Sequence, residues 1–409
     1  MREMKDSGVK WIGEIPVTWN VYRNKNAFVC SKDLVGGKSS ETQLLSLTTK
    51  GIKLKDINNA EGKLPESFDT YQYVKKDEMV MCLFDLDCSA VFSGLSPYDG
   101  MISPAYKVLT CTDRMEPKYA DYWFQYISHG RKFNHYAKNI RYTLSYEEFS
   151  ALPMLFPDRE EQIRISNYLD AKCSKIDEII EKQQAIIEKL KEYKLSYINE
   201  VTNVNDGIKC HLGFIGQMKN GLNFTDTSEG HKIKFLGVGD FKDNFFVDKE
   251  EMFSTIISEE NVAEDYMLHS GDIVFVRSNG SKELVGRAVM VNGIEYPVTY
   301  SGFCIRFRNI RPDIIDSKFL LYYFRSLDFR KQLEKYSQGS NISNLNQDLL
   351  SSLQFTIPSK DYQKRRLDEM EIKCKEIDNA VIKFEGMNNK LQEYKKSLIY
   401  EVVTGKKEV

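Results

Sequence analysis

The sequence predicts an α+β chain in which two pseudo-twofold-related globular α/β domains are separated by two long antiparallel coiled-coil helices. Three observations predict it. Shifting the chain against itself by 201 residues aligns 152–202 with 353–403 without a gap, and 18 of those 51 positions are identical. Both copies carry apolar or semi-polar residues at heptad spacing. The stretches ahead of the copies, 1–150 and 206–352, share little sequence, yet each reads as short strands followed by an aromatic-rich helix. The organisation is therefore a domain (1–150), a helical spacer (151–205), a second domain (206–352) and a second spacer (353–409).

In the first spacer the seam is Cys173, Ile176, Ile180, Gln183, Ile187, Leu190, Lys194, Tyr197 and Val201, in steps that alternate three and four. The second spacer has Cys374, Ile377, Val381, Phe384, Asn388, Leu391, Lys395, Leu398 and Val402 in the same register. Each helix begins just after a proline, Pro157 or Pro358, and Asp158 with Glu161 makes a capping box. At about 1.5 Å per residue, roughly 45 residues span about 65–70 Å. These are rods rather than core helices. Antiparallel pairing is expected to set Cys173 against Val402, Ile180 against Lys395 and Ile187 against Asn388. That brings the polar Gln183 and Asn388 into adjacent layers, where polar seam residues can fix register.

A second stripe lies beside the seam at Ile179, Ile186 and Tyr193, matched by Ala380, Met387 and Tyr394. The sister helix satisfies one seam, so this stripe is the expected surface for outside helices. The alternative is a widened contact within the chain, because helices of globular proteins often carry three apolar positions per heptad.

Each domain shows parallel features ahead of its rod. Residues 78–84 and 271–277 read as short strands entered by a polar turn, and 103–109 and 301–308 as half-buried strands. In the last of these, Phe303, Ile305 and Phe307 are expected to face inward while Arg306 and Arg308 project together. Amphipathic helices follow at about 117–136 and 317–336, and their aromatics (Tyr119, Tyr122, Trp123, Tyr126; Phe319, Tyr322, Tyr323, Phe324) are expected in the core. Next come polar loops, 137–142 and 337–342, ahead of small helices begun by Ser145 and Asn346. Loops rich in Gly, Ser, Asn and Arg beside a helix end can offer N–H groups and cations to phosphates.

Composition bounds the function. With 409 residues, 42% hydrophobic and 28% charged, the chain can build two cored domains plus the rods. No apolar run approaches a membrane span and the amino terminus lacks a signal-peptide core, so a cytoplasmic protein with no membrane partner is expected. Eight scattered cysteines contain no Cys-x-x-Cys pair, so they are expected to be reduced, half-buried side chains. The net charge of −2 argues against coating nucleic acid by bulk electrostatics and leaves local contact open.

Catalytic signals are weak. Gly237-Val238-Gly239 mimics the start of a nucleotide loop, but Lys242 stands at the third glycine position. The chain has no Asn/Asp-Pro-Pro-aromatic tetrapeptide, no Gly-Lys-Ser/Thr loop and no His-x-x-x-His spacing. No catalytic residue and no metal ligand is nominated. The pattern is that of a reader, with a protein–protein scaffold as the alternative.

The opening string Ser7-Gly8-Val9-Lys10-Trp11-Ile12-Gly13-Glu14-Ile15-Pro16, followed by Trp19, reads as an irregular arm that docks by its aromatics. It resembles the start of the specificity subunits of type I restriction-modification systems. The run 155–165, a proline followed by Glu161-Gln162 and then isoleucine, is similar to that family's spacer opening, from which the second copy departs with Tyr362 for Glu161 and Arg366 for Ile165. The resemblance implies that the two domains are target recognition domains, each reading one half of a split double-stranded DNA site, with the rods fixing the gap. It also implies two modification subunits that bring S-adenosylmethionine, and restriction subunits that use ATP and Mg. No cofactor would sit in this chain. The nominated DNA-binding residues are Lys138, Asn139, Arg141 and Tyr142 in the first half. In the second they are Arg277, Asn279, Lys282, Arg306, Arg308, Gln338, Ser340 and Asn341, side chains able to bridge two base atoms or a phosphate.

Overall fold

The structure is a computed structural model that describes residues 2–56, 65–86, 92–137, 142–224, 230–258, 261–278, 283–336 and 344–409. Two helices of 44 residues, Arg159–Thr202 and Lys360–Val403, are the longest elements. All nine seam positions of each copy are buried or half-buried, while Ile179, Ile186, Tyr193, Met387 and Tyr394 of the second stripe are exposed and Ala380 is half-buried. The heptad reading therefore assigns the faces correctly.

The chain forms two compact units: Met1–Gln183 with Gly386–Val409, and Gln184–Glu385. In the first unit, Ile165, Leu169 and Cys173 share a core with Leu398, Ile399 and Val402, and Lys395 Nζ binds both oxygens of Asp177 at 2.7 and 2.6 Å. In the second, Ile187 and Leu190 pack with Ile377, Val381 and Phe384, and Lys194 Nζ binds both oxygens of Asp378 at 2.7 Å. Early positions of one helix meet late positions of the other in each case, so the pairing is antiparallel. Asp177 and Asp378 are one repeat apart, as are Lys194 and Lys395, so the internal duplication reproduces the ion pair. Cys173 and Val402 share one core, as expected, while Lys395, expected against Ile180, carries its ammonium to Asp177, nearly a turn before it. Gln183 Oε1 and Asn388 Oδ1 are buried without a hydrogen-bond partner, so these two oxygens make no bond that could fix the register. Each lysine–aspartate pair is largely exposed on its acid side and is worth about 0.2–1 kcal/mol. Exchanging the charges (Asp177→Lys with Lys395→Asp) is expected to restore the stability lost in either single variant, as read in a double-mutant cycle.

In the first unit, an antiparallel sheet orders the strands Phe28–Cys30, Lys107–Cys111, Met79–Met81 and Ser93–Leu95. The second unit repeats that order with Gly216–Asn220, Cys304–Asn309, Ile273–Val276 and Ala288–Val291, and adds Phe246–Val247 in parallel at the far edge. A separate three-stranded sheet, Ser254–Ser258, His231–Leu236 and Val298–Tyr300, belongs to the second unit alone. In each unit a two-stranded ribbon leads into the rod: Asn20–Arg23 pairs with Pro153–Phe156, and Ile208–His211 with Gln354–Ile357.

The expected aromatic helices are each broken. The first runs Pro117–His129 and continues, after Gly130 and Arg131 at φ 46°, as a 3-10 turn Lys132–Tyr136. The second splits into Ser317–Phe324 and Leu327–Tyr336. Their aromatics are buried, as the spacing indicated. The small helices start where expected. Ser145 and Glu148 form a reciprocal capping box, and the Asn346 side chain accepts from the Leu349 N–H at 2.7 Å.

One contact ties each rod to its domain, and it is duplicated atom for atom. Gln162 Oε1 accepts from the Glu116 N–H at 2.8 Å, while its Nε2 donates to the carbonyls of Arg114 and Pro157, both at 3.0 Å. Gln363 Oε1 accepts from the Asp316 N–H at 2.9 Å, and its Nε2 donates to the carbonyls of Ile314 and Pro358 at 2.8 and 2.7 Å. A lysine–acid pair stands beside each: Lys118 with Asp170, and Lys318 with Glu371.

The helix cap at 158–161 is half of what the sequence suggested. The Asp158 side chain accepts from the Glu161 N–H at 2.8 Å, but the Glu161 carboxylate turns to Trp19 Nε1, at 2.8 Å, and to Arg2. Trp19 is wholly buried and the arm around it forms a hairpin, Met4–Asp6 with Glu14–Pro16. The second copy has no arm to hold, and its Tyr362 instead donates its hydroxyl to the Val201 carbonyl at 3.0 Å. That accounts for the departure at this position.

Seven cysteines lie among the described residues, all free, four buried and three half-buried. Burial pushes the Cys374 thiol up to about 11 and those of Cys111 and Cys304 up to about 12, so all three are protonated at neutral pH.

Candidate nucleic-acid interface

The central strand of each sheet ends beside the loop that precedes the small helix. In the first unit, the Leu83 carbonyl accepts from the Leu144 N–H at 2.8 Å, and Leu86 N–H approaches the Tyr142 carbonyl at 3.4 Å. In the second, the Arg277 carbonyl accepts from the Leu345 N–H at 2.8 Å, and Ser278 bridges Asn344. Two segments far apart in sequence, the strand end and the residues just ahead of the small helix, thus arrive at one place in each domain. Lys138, Asn139, Arg141, Asn279, Lys282, Gln338, Ser340 and Asn341 lie outside the described residues.

The four remaining nominations separate. Tyr142 is half-buried against the core of its unit, in the left-handed region at φ 46°. Arg277 sits at the strand end. Its N–H donates to the Phe303 carbonyl at 2.8 Å, and among the described residues its half-buried guanidinium reaches the Gly302 carbonyl, at 3.5 Å. Arg306 and Arg308 do not project together. Arg306 is 0% exposed and its Nη1 donates to the carbonyls of Asp265 and Met267 at 2.9 and 3.4 Å. Arg308 holds Asp272 in a two-point pair, Nε to Oδ1 and Nη2 to Oδ2, both at 2.7 Å, with a further bond to the Met267 carbonyl. The paired carboxylate holds the Arg308 guanidinium above its ordinary range. The two arginines fasten the 264–267 turn to the sheet. The expectation failed because it treated 301–308 as a strand with one wet face, whereas Cys304–Asn309 is the second strand of five and is covered on both sides.

Phe303 was expected inside and is 58% exposed. It precedes the strand, with its N–H on Ser301 Oγ at 3.2 Å. Beside it, a Cβ at Gly302 would lie 2.2 Å from Asn223 Oδ1, so only glycine lets Asn223 approach. Asn223, Phe224, Phe235 and Phe303 border an open recess of about 410 Å³. A guanidinium, an amide and an exposed phenyl ring therefore stand together at the strand end. Such a set can hold a phosphate, bridge a base edge and press on a thymine methyl or a base step. Sequence reasoning found Arg277 here and missed Asn223 and Phe303. The glycine before Phe303 was the available signal.

The Gly237-Val238-Gly239 string is a 3-10 turn closed by its own acid. Asp240 Oδ2 accepts the Gly237 N–H at 2.7 Å and Oδ1 accepts from Ser254 Oγ at 2.8 Å. A carboxylate at that amide repels a phosphate.

The family model for type I restriction modification DNA specificity domains matches residues 210–399. The type I restriction enzyme StySPI specificity subunit of Salmonella potsdam is 25% identical over 300 residues, which cover 65% of this chain and 63% of that protein. The EcoKI specificity subunit of Escherichia coli (strain K12) is 25% identical over 146 residues, 36% of this chain and 31% of that protein. The chain thus spans less than two thirds of the length of these curated relatives. Among solved structures, a chain from work on complex assembly and conformational transition of the type I R-M system has the same fold, with a TM-score of 0.71 at 13% identity, covering 96% of this chain and 99% of that one. The chain carries a match to the type I restriction modification DNA specificity domain over 210–399 and is similar to the specificity subunits of type I restriction-modification systems. Among the described residues, no helix is long and apolar enough to cross a membrane.

Proposed function

We propose that the chain is the non-catalytic DNA-reading subunit of a type I restriction-modification complex, with each domain reading one half of a bipartite double-stranded site. The family match over 210–399, on a scaffold whose rod, ribbon and glutamine contacts are all duplicated, is the observation that carries this reading. The antiparallel helices set the gap between half-sites, as dimer spacing does for other two-part readers. The stripe of Ile179, Ile186, Tyr193, Ala380, Met387 and Tyr394, exposed but for the half-buried Ala380, docks two modification subunits, which bring S-adenosylmethionine. Restriction subunits add ATP- and Mg-dependent cleavage, and the assembly works in the cytoplasm. A net charge of −2 fits a reader whose partners supply much of the phosphate neutralisation.

The test is co-expression with a modification subunit, followed by mapping of methylated adenines. Two short motifs at a fixed separation are expected, and methylation of an undivided motif or none at all refutes the reading. Arg277→Ala is expected to weaken specific binding by about 1–3 kcal/mol, roughly five- to 150-fold, with an unchanged melting temperature. The near-balanced charge also fits a protein–protein scaffold. Duplex affinity that falls steeply with salt in the partner's presence decides against that alternative.

A further inference from the structure

The two units differ at one corner. In the first, the end of the helix Lys360–Val403 is covered by the arm. Thr404 and Gly405 are buried, and a Cβ at Gly405 would meet Pro16 at 2.4 Å. Lys406 Nζ donates to the Ile12 carbonyl at 3.2 Å. The Trp11 ring packs 6.0 Å from Trp123, donates Nε1 to the Tyr136 hydroxyl at 2.8 Å and lies under Lys132 Nζ.

The second unit builds the same corner from equivalent residues. Residues 202–205 stand for 403–406, Tyr323 for Trp123, Gln332 for Lys132, and the strand Ile208–His211 for Asn20–Arg23. Here the chain passes from rod to ribbon through 203–207 alone, with no arm. The corner is an open recess of about 390 Å³, bordered by Asn203, Asn205, His211, Tyr323, Asp328 and Gln332. Asn203 and Asn205 are exposed, in contrast to the buried Thr404. Tyr323 keeps an aromatic wall, its hydroxyl fixed by the Gln354 carbonyl at 2.9 Å and by Gln332 Nε2 at 2.8 Å. Asn199 and Ser326 replace the rings of Tyr400 and Tyr126, so this seat is more polar than its twin and better provided with partners for a peptide main chain.

We infer that this recess receives an arm-like segment of another protein: an extended stretch with one aromatic side chain against Tyr323 and its main-chain groups against Asn203, Asn205 and Asp328. The first unit shows what such a corner accepts, and the second presents the same corner with no arm over it among the described residues. The inference is independent of DNA reading.

The test uses the intact chain and a synthetic peptide of residues 1–19, followed by calorimetry. Saturable binding of one peptide per chain is expected, about tenfold weaker when the peptide carries Trp11→Ala. Asn203→Trp and Asn205→Trp, two exposed substitutions that fill the recess, are each expected to abolish binding while melting at the temperature of the parent. No saturable binding overturns the inference. So does binding undiminished by both filled variants, which would place the peptide in the first unit by displacement of the resident arm.

Discussion

Trp19→Ala is expected to lower the stability of the first unit by about 3–5 kcal/mol, the range for truncating a fully buried large aromatic. Two costs add. Loss of the indole leaves a cavity beside Gly405, where even an added Cβ would lie only 3.1 Å from the ring, and it strands the buried Glu161 carboxylate, whose other partner is Arg2. Trp19→Phe, which keeps most of the volume but not the N–H, is expected to fall between parent and alanine variant. All three tryptophans, at 11, 19 and 123, belong to the first unit, so urea unfolding followed by the fluorescence of the remaining two reads that unit. A midpoint unchanged in Trp19→Ala would mean that the arm is an ornament rather than a clamp.

Gln162→Leu and Gln363→Leu are expected to cost about 3 kcal/mol each. Each substitution keeps the volume but strips a backbone N–H and two carbonyls of their partners in a buried setting, and unsatisfied buried groups cost about 1–3 kcal/mol apiece. The two losses are expected to match within a few tenths, because the three bonds are the same in kind at both sites. The two residues lie in separate units, so their effects are expected to add in the double variant. Circular dichroism, which sees both units, is the measurement for Gln363→Leu. A loss confined to one of the two variants would break the equivalence of the halves.

The rods, their seam and their caps were legible because they rest on local rules: a heptad period, a proline ahead of each start, and a shift of 201 that superposes the copies. Gln162 and Gln363 were visible as an identity in that shift, but their three backbone partners were not, since Arg114 and Glu116 come from a different element. The arginines show the limit most plainly. Alternation along 301–308 gives the two faces of a strand, and whether a face meets water depends on neighbours up to 90 residues away, so Arg306 was placed on a surface it does not reach and Arg308 on one it reaches only in part. Phe303 erred in the other direction because it lies one residue outside the strand. Arg277, directly after four apolar strand residues, stands half-buried at the strand end, a place that local alternation does indicate.

The way the compact units are assembled from the chain has a consequence for synthesis. Gln184–Glu385 is one uninterrupted stretch, whereas the other unit must recruit Gly386–Val409, which is made after the whole of that stretch. Until Leu398, Ile399 and Val402 emerge, the core that contains Trp19, Ile165 and Cys173 lacks one wall. Of the two units, the one begun earlier is therefore completed later, the inverse of the usual vectorial order in which amino-terminal domains settle first. Nascent chains stalled before residue 386 should expose that unfinished wall to chaperones while the downstream unit is already closing.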